Sequence, residues 1–597
     1  MVRFCLLCCG VLVSVPFLNP YHDYPLLTFY TEWLAFAIGL LALAAMAAAP
    51  SRNPIPIPGV CFGLFLLALL LAGQAAAGWV AYPVRSAVGA LYLVWAALLA
   101  ILGAWLRSEL GEARVSHALQ WSLALAGVLA AASGFVQYYH LPLLGGTYST
   151  VQPNNTMFGT VNQTNNFADY LGCALVSIAF LRARGALASL PMSVLGLLLA
   201  AGMALSGSRG SWGYLGIVFA LAYLLRLGGH PQQARRVLQV ASAALAFFLV
   251  VQIVNFYTEI LAGPFGKVHS SADRLMDPKN MGFGGSGRGQ LLLYARMMFL
   301  AHPVFGAGFG EFAWRALEIA EDSPGVVPPG LDYHAHNLFA QLLAETGIAG
   351  LLCIAIPLGI WLWRTPWRTL SPGHCWAMGV LAVVGLHSMV EFPLWHAPFL
   401  GVFALVFGFA SPGGAAVAPT GLRRGALLLV ALAGGFVAHG VWSDYRVLEH
   451  WYLVLEAKGA RGEALAPGDF DALIRLRADS LFGPYFERIA SEAIALDERD
   501  LADKLAFNTQ VMRAYPVPSV VLRQVALLAL SGQDAQAART LRGAARVYPQ
   551  WTRQWLPELQ ALAQRRPERF SGLLELARAQ VGENGRGEAF APLPGTR

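Results

Sequence analysis

Apolar runs of bilayer length constrain this chain more than any other feature. A membrane-spanning helix needs about 20 mainly apolar residues. VCFGLFLLALLLAGQAAAGWV, residues 60–80, is one of many such stretches in the first three-quarters of the 597 residues. Only 13% of the residues are charged and 56% are hydrophobic, whereas a soluble protein carries roughly 25% charged residues. Lipid must therefore solvate most of the chain, and a water-soluble globule is excluded. About thirteen spans are expected, at roughly 5–19, 27–49, 59–79, 86–106, 118–138, 166–182, 187–206, 211–227, 237–257, 337–363, 374–391, 395–410 and 425–442. MVRFCLLCCG has no small-residue cleavage site, so it reads as part of the first helix and not as a signal peptide. The seven cysteines lie in or beside apolar runs, none beyond Cys375, and show neither a disulfide framework nor zinc-ligand spacing.

The net charge of +7 has a topological explanation that needs no nucleic acid. With the N-terminus inside, the cytoplasmic loops hold Arg52, then Arg107 and Arg114, Arg182 and Arg184, and Arg226 to Arg236. Arg364 and Arg368 follow, then Arg423 and Arg424. Alternate loops such as HLPLLGGTYSTVQPNNTMFGTVNQTN are almost free of Lys and Arg, the asymmetry that orients a polytopic protein. The expected organisation is all-α: a membrane bundle over 1–257, an outer loop over 258–336, further spans over 337–442 and an outer tail over 443–597. In the tail, Gly532, Ala537, Leu541, Ala544 and Pro549 match the spacing of a tetratricopeptide repeat, and Tyr515-Pro516 anticipates Tyr548-Pro549.

The polar residues then sort to one side. Glu32, Arg85, Arg209, Arg288, Glu391 and His396 all fall at outer span ends or outer loops, as do His334, His336 and Asn337. Arg209 in LSGSRGSWG lies between Gly207 and Gly210 at a helix start, where a guanidinium and free backbone N–H groups suit a phosphate. Arg288 has the same Ser-Gly-Arg-Gly setting, and Arg85 either snorkels to headgroups or joins the anion site. Glu32 and Glu391 are expected to partner these arginines or to act on substrate directly. Asn162, Gln163, Asn165 and Asn166 cap a helix or bind sugar hydroxyls. Asn337, Gln341 and Glu345 repeat at four-residue spacing and form one polar stripe that orients and packs the helix.

HAHNLFAQLLAETGIAGL resembles the signature of the Wzy/O-antigen ligase superfamily, and SGSRGSW with SGRGQ…HPVFGAGFGEF resembles its paired arginine motifs. HDYPLLTFYTEW, FGTVNQTNNFADYL and HSMVEFPLWHAPFL are similar to segments of the bacterial PglL-type protein O-oligosaccharyltransferases. The motifs run in the expected order along essentially the whole chain. One departure is His396, near where similar enzymes often carry tyrosine.

The resemblance implies a GT-C-like membrane glycosyltransferase of the bacterial inner membrane, with its site and helical tail facing the periplasm. It implies en bloc transfer of a glycan from undecaprenyl diphosphate to a Ser or Thr hydroxyl of a periplasmic or pilin protein. His336 is expected as general base, with His334 in reserve, because a helix N-terminus favours a neutral ring. Arg209 and Arg288, with Arg85, are expected at the diphosphate. No carboxylate cluster for a divalent cation stands out, so no metal or cofactor is expected. Ligation of O-antigen to lipid A core, O-antigen polymerisation and transport of a lipid-linked sugar are the competing functions. Transport is disfavoured because the charges sit near one surface and the halves do not repeat.

Overall fold

The computed structural model of the protein describes residues 1–51, 53–142, 155–186, 188–271, 288–322, 331–411, 415–460 and 480–584. Among the described residues, helices overlap each of the expected apolar segments. They are α1 (Val2–Leu12), α2 (Phe29–Ala47), α3 (Val60–Ala76), α4 (Pro83–Leu110), α5 (Glu112–Tyr138), α6 (Thr164–Ala183), α7 (Ser189–Leu205), α8 (Gly210–Leu227) and α9 (Pro231–Tyr257). After two shorter helices, α10 (Arg288–Ala301) and α11 (Phe312–Asp322), come α12 (Leu338–Arg364), α13 (Pro372–His387), α14 (Ala397–Ala410) and α15 (Gly421–Ala460). The tail forms α16 (Gly483–Ala493), α17 (Leu501–Ala514), α18 (Pro518–Leu530), α19 (Asp534–Val547), α20 (Pro549–Arg565) and α21 (Pro567–Asn584).

Among the described residues, seven of these helices, α2, α4, α5, α8, α9, α12 and α15, are long and apolar enough to cross a bilayer. Helices dominate because a segment in lipid must satisfy every backbone N–H and C=O within itself. Among the described residues the only paired strands are Ile55–Ile57 and Ala415–Val417.

The chain divides into two compact units. The first comprises Met1–Ala68, Leu91–Met281 and Cys353–Trp442. Its centre is α6, buried without interruption from Phe167 to Leu181. Small residues bring helices together there: a methyl on Gly408 of α14 would lie 1.8 Å from the Ala100 carbonyl oxygen of α4, the close approach expected of packing in lipid.

The second unit comprises Leu69–Ala90, Gly282–Leu352 and Ser443–Arg597. Within it α18 and α19 form a hairpin around Gly532, whose φ of 78° is a left-handed turn. Ala537, Leu541 and Ala544 on the inner face are fully buried. Leu317 and Ala320 of α11 share the same hydrophobic cluster as the tail helices.

The expected unbroken span over 337–363 is corrected here. α12 is interrupted at Gly347, which has φ 64° and ψ −164°. The Ile348 and Ala349 N–H groups donate to the Pro303 and Val304 carbonyls (2.9 and 3.0 Å). The loop thereby satisfies groups that an uninterrupted helix would pair internally, as broken membrane helices require.

Candidate functional site

In the second unit the segment HPVFGAGFGEF runs along α12 from Ala344 to Ala349, across the break at Gly347. Gly306, Gly308 and Gly310 all have positive φ, which glycine adopts without steric cost. The Ala307 and Gly308 N–H groups donate to the Ala344 and Glu345 carbonyls. The buried Gln74 side chain of α3 ties the same place together, donating to the Phe305 and Glu345 carbonyls and accepting from the Phe309 N–H (2.7, 2.8 and 3.1 Å). An isolated glutamine within an apolar run carried no signal of this role.

The polar stripe of α12 holds the preceding loop. Asn337 caps the helix, its Oδ1 accepting from the Ala340 N–H at 3.0 Å. Gln341 accepts from the Ala335 N–H at 2.6 Å and donates to the Tyr333 carbonyl at 3.4 Å. Glu345 accepts from the Gly310 N–H at 3.0 Å. Loop and glycine-rich segment are thus both fastened to one helix face.

His336 sits in this loop with φ 51°, a left-handed conformation uncommon for any residue but glycine. Its Nε2 lies 2.7 Å from Asp332 Oδ2, and the ring is 16% exposed. The other carboxylate oxygen, Oδ1, accepts from the His334 N–H at 3.2 Å. Asp332 therefore fixes both expected histidine positions. Burial opposes its charge, but the His336 ring and the His334 N–H outweigh that and hold its pKa below the ordinary 3.8. Sequence inspection passed over Asp332 although it lies within LDYHAHN; its four-residue offset from His336 was the available signal. Arg288 opens α10, whose Leu291, Tyr294, Ala295 and Met298 share a buried cluster with Ala335 and Ala344. The Ser-Gly part of its motif lies outside the described residues.

Arg85 is placed differently from a free anion ligand. Its Nη1 and Nη2 donate to the Gly310 and Ala514 carbonyls (3.1 and 3.0 Å). Its guanidinium carbon lies 4.6 Å from the centre of the Tyr515 ring, a cation–π distance. It pins the glycine-rich segment to the end of α17.

In the first unit the other motifs meet pairwise. His22 Nε2 lies 2.8 Å from the Thr160 carbonyl oxygen, joining HDYPLL to FGTVNQTN. Glu32 Oε1 lies 3.0 Å from His396 Nδ1, and Oε2 accepts from the Tyr92 hydroxyl and the Ala397 N–H. Glu32 therefore caps α14 and pairs with a histidine.

Gln163 caps α6 through the Asn166 N–H, the capping role among the expected alternatives, and Asn162 occupies the left-handed turn before it (φ 60°). The residue that joins elements is Asn165, which donates to Glu391 Oε1 at 3.0 Å and accepts from the Ser208 hydroxyl at 2.9 Å. Arg209 follows Ser208 and forms the N-cap of α8, after Gly207 at φ 68°.

Comparison with known proteins accords with this arrangement. The family described as O-Antigen ligase matches residues 194–355, which include Arg209, Arg288, His334, His336 and the break at Gly347. The family described as virulence factor membrane-bound polymerase, C-terminal, matches residues 375–561. A protein of Acinetobacter baylyi (strain ATCC 33305 / BD413 / ADP1) described as a general O-oligosaccharyltransferase is 25% identical over 413 residues, covering 67% of this chain and 68% of that protein. This multi-pass membrane chain is thus similar to O-antigen ligases, to membrane-bound polymerases and to a general O-oligosaccharyltransferase.

Proposed function

We propose that the protein is a protein O-oligosaccharyltransferase of the bacterial inner membrane, with its site on the periplasmic face. The donor is a glycan on undecaprenyl diphosphate and the acceptor is a Ser or Thr hydroxyl of a periplasmic or pilin protein. His336 takes the hydroxyl proton, and the acceptor oxygen bonds to the anomeric carbon. The bond from that carbon to the phosphate oxygen breaks, and the lipid diphosphate leaves with the electron pair.

The observation that carries this reading is the 2.7 Å approach of Asp332 to His336 Nε2. A carboxylate on one ring nitrogen orients the imidazole, the general logic of an oriented base. The left-handed backbone at His336 supports the same assignment, since strain held by several neighbours concentrates at functional sites. Arg288 and Arg209 stabilise the charge developing on the diphosphate, and His334 is the reserve base. Arg85 acts by holding the glycine-rich segment. The capping groups Asn162, Gln163 and Asn166, and the Glu32–His396 pair, shape the helix mouths.

The test is reconstitution with purified protein, a lipid-diphosphate-linked glycan and a Ser/Thr-containing acceptor protein. Glycan should appear on the protein, and His336→Ala should abolish it. Transfer to lipid A core instead would make the chain an O-antigen ligase, and glycan movement without a new bond would make it a transporter.

A further inference from the structure

Two polar rungs, set one helical turn apart on α6, join it to the end of α13 and to the turn that follows. In the outer rung the Asn165 amide donates to Glu391 Oε1. In the inner rung Asp169 Oδ2 lies 2.8 Å from His387 Nδ1, with the side chains 0% and 1% exposed. The His387 carbonyl also accepts the Val390 and Glu391 N–H groups (2.9 and 2.8 Å), so the inner rung anchors the turn that presents Glu391. A buried polar pair adds little net stability over apolar packing and is costly if one member is lost. Moreover, His387 Nε2 and the nearby Tyr214 hydroxyl are buried with no hydrogen-bond partner among the described residues. Packing alone does not call for such groups in a bundle core; fixing a register does.

What that register fixes is Asn165. Its amide can donate to a carboxylate only through nitrogen, which leaves its oxygen for the Ser208 hydroxyl. Ser208 immediately precedes Arg209, and the turn has no slack on its other side: a methyl on Gly210 would lie 2.7 Å from the Tyr214 hydroxyl oxygen.

We propose that Asn165 is a positioning residue for the anion-binding turn: bridging Glu391 and Ser208, and held in register by Asp169–His387, it sets where the Arg209 guanidinium meets the donor diphosphate. This rests on the proposed role of Arg209.

The test is a double-mutant cycle on the full-length protein, with a polyprenyl diphosphate-linked oligosaccharide as donor. Asn165→Ala should lower kcat/KM about tenfold and Arg209→Ala about a hundredfold. Added to Arg209→Ala, Asn165→Ala should change kcat/KM less than about twofold. Ser208→Ala, which cuts the same link at a smaller side chain, should reproduce the pattern should Asn165→Ala fail to fold. Equal losses in both backgrounds overturn the positioning role, because a merely structural defect adds to any other. An impaired Arg209→Ala with additive losses removes the inference alone, whereas a fully active Arg209→Ala removes the Arg209 assignment as well.

Discussion

Gly306 and Gly347 lie in backbones so close that neither tolerates a side chain. A methyl on Gly306 would sit 2.2 Å from the Glu345 carbonyl carbon, and one on Gly347 would sit 2.4 Å from the Val304 carbonyl oxygen. Both positions also have positive φ. Gly347→Ala should therefore destabilise the second unit by about 1–3 kcal/mol or more, seen as a lower thermal midpoint together with lost transfer. A variant with parental stability and activity would show that the interrupted helix has another arrangement in the working enzyme.

The Asp332–His336 pair sets an expectation for pH. His336→Ala should reduce kcat about 10²- to 10⁴-fold, the usual contribution of a general base. Asp332→Asn should act less severely, about tenfold or more, because an amide can still orient the ring through its oxygen. Since the native Asp332 pKa lies below its ordinary 3.8, its contribution to stability is fully present above that value and is lost as pH falls through the lower native one. At neutral pH the carboxylate is thus charged and favours a protonated ring, and its removal should shift the acid limb of kcat/KM to lower pH. An acid limb that stays in place would argue against His336 as the titrating base.

For Arg85 two roles predict different kinetics. A diphosphate ligand, once replaced, raises the donor KM. A pin between the Gly310 and Ala514 carbonyls and the Tyr515 ring lowers thermal stability and kcat with the donor KM unchanged. Lysine retains the charge but not the planar fork, so Arg85→Lys should show the second pattern. A raised KM with the parental thermal midpoint would restore Arg85 to the anion site.

Much of this was legible in the sequence because lipid imposes a simple rule. The apolar runs located helices from Val2 to Ala460, since that signal is local in the chain. His336, Asn337 and the stripe to Glu345 stood out as polar groups in an apolar setting. What the sequence withheld was pairing. Asp332 looked like one more loop acid, and Gln74 one more residue in an apolar run, because their partners are set by three-dimensional closure. The break at Gly347 was hidden for the same reason. A glycine inside an apolar helix reads as continuous until a second backbone, here Pro303 to Gly308, takes over the hydrogen bonds around it.

His396 tests whether the departure from the tyrosine of similar enzymes is chemical or only steric. Glu32 receives three partners there: the His396 ring nitrogen, the Tyr92 hydroxyl and the Ala397 N–H. Its side chain is only 14% exposed, so losing the carboxylate strands all three. Glu32→Ala should cost about 1–3 kcal/mol, measured as a shift in the thermal midpoint of the detergent-solubilised protein. At position 396 the carboxylate asks for a donor, which a phenol supplies as well as an imidazole does; Tyr92 already does so at 3.0 Å. His396→Tyr should therefore retain stability and keep transfer within about threefold, whereas His396→Phe, with no donor, should lose about 1 kcal/mol of stability. If His396→Tyr and His396→Phe behaved alike, the hydrogen bond to Glu32 would not be what this position contributes.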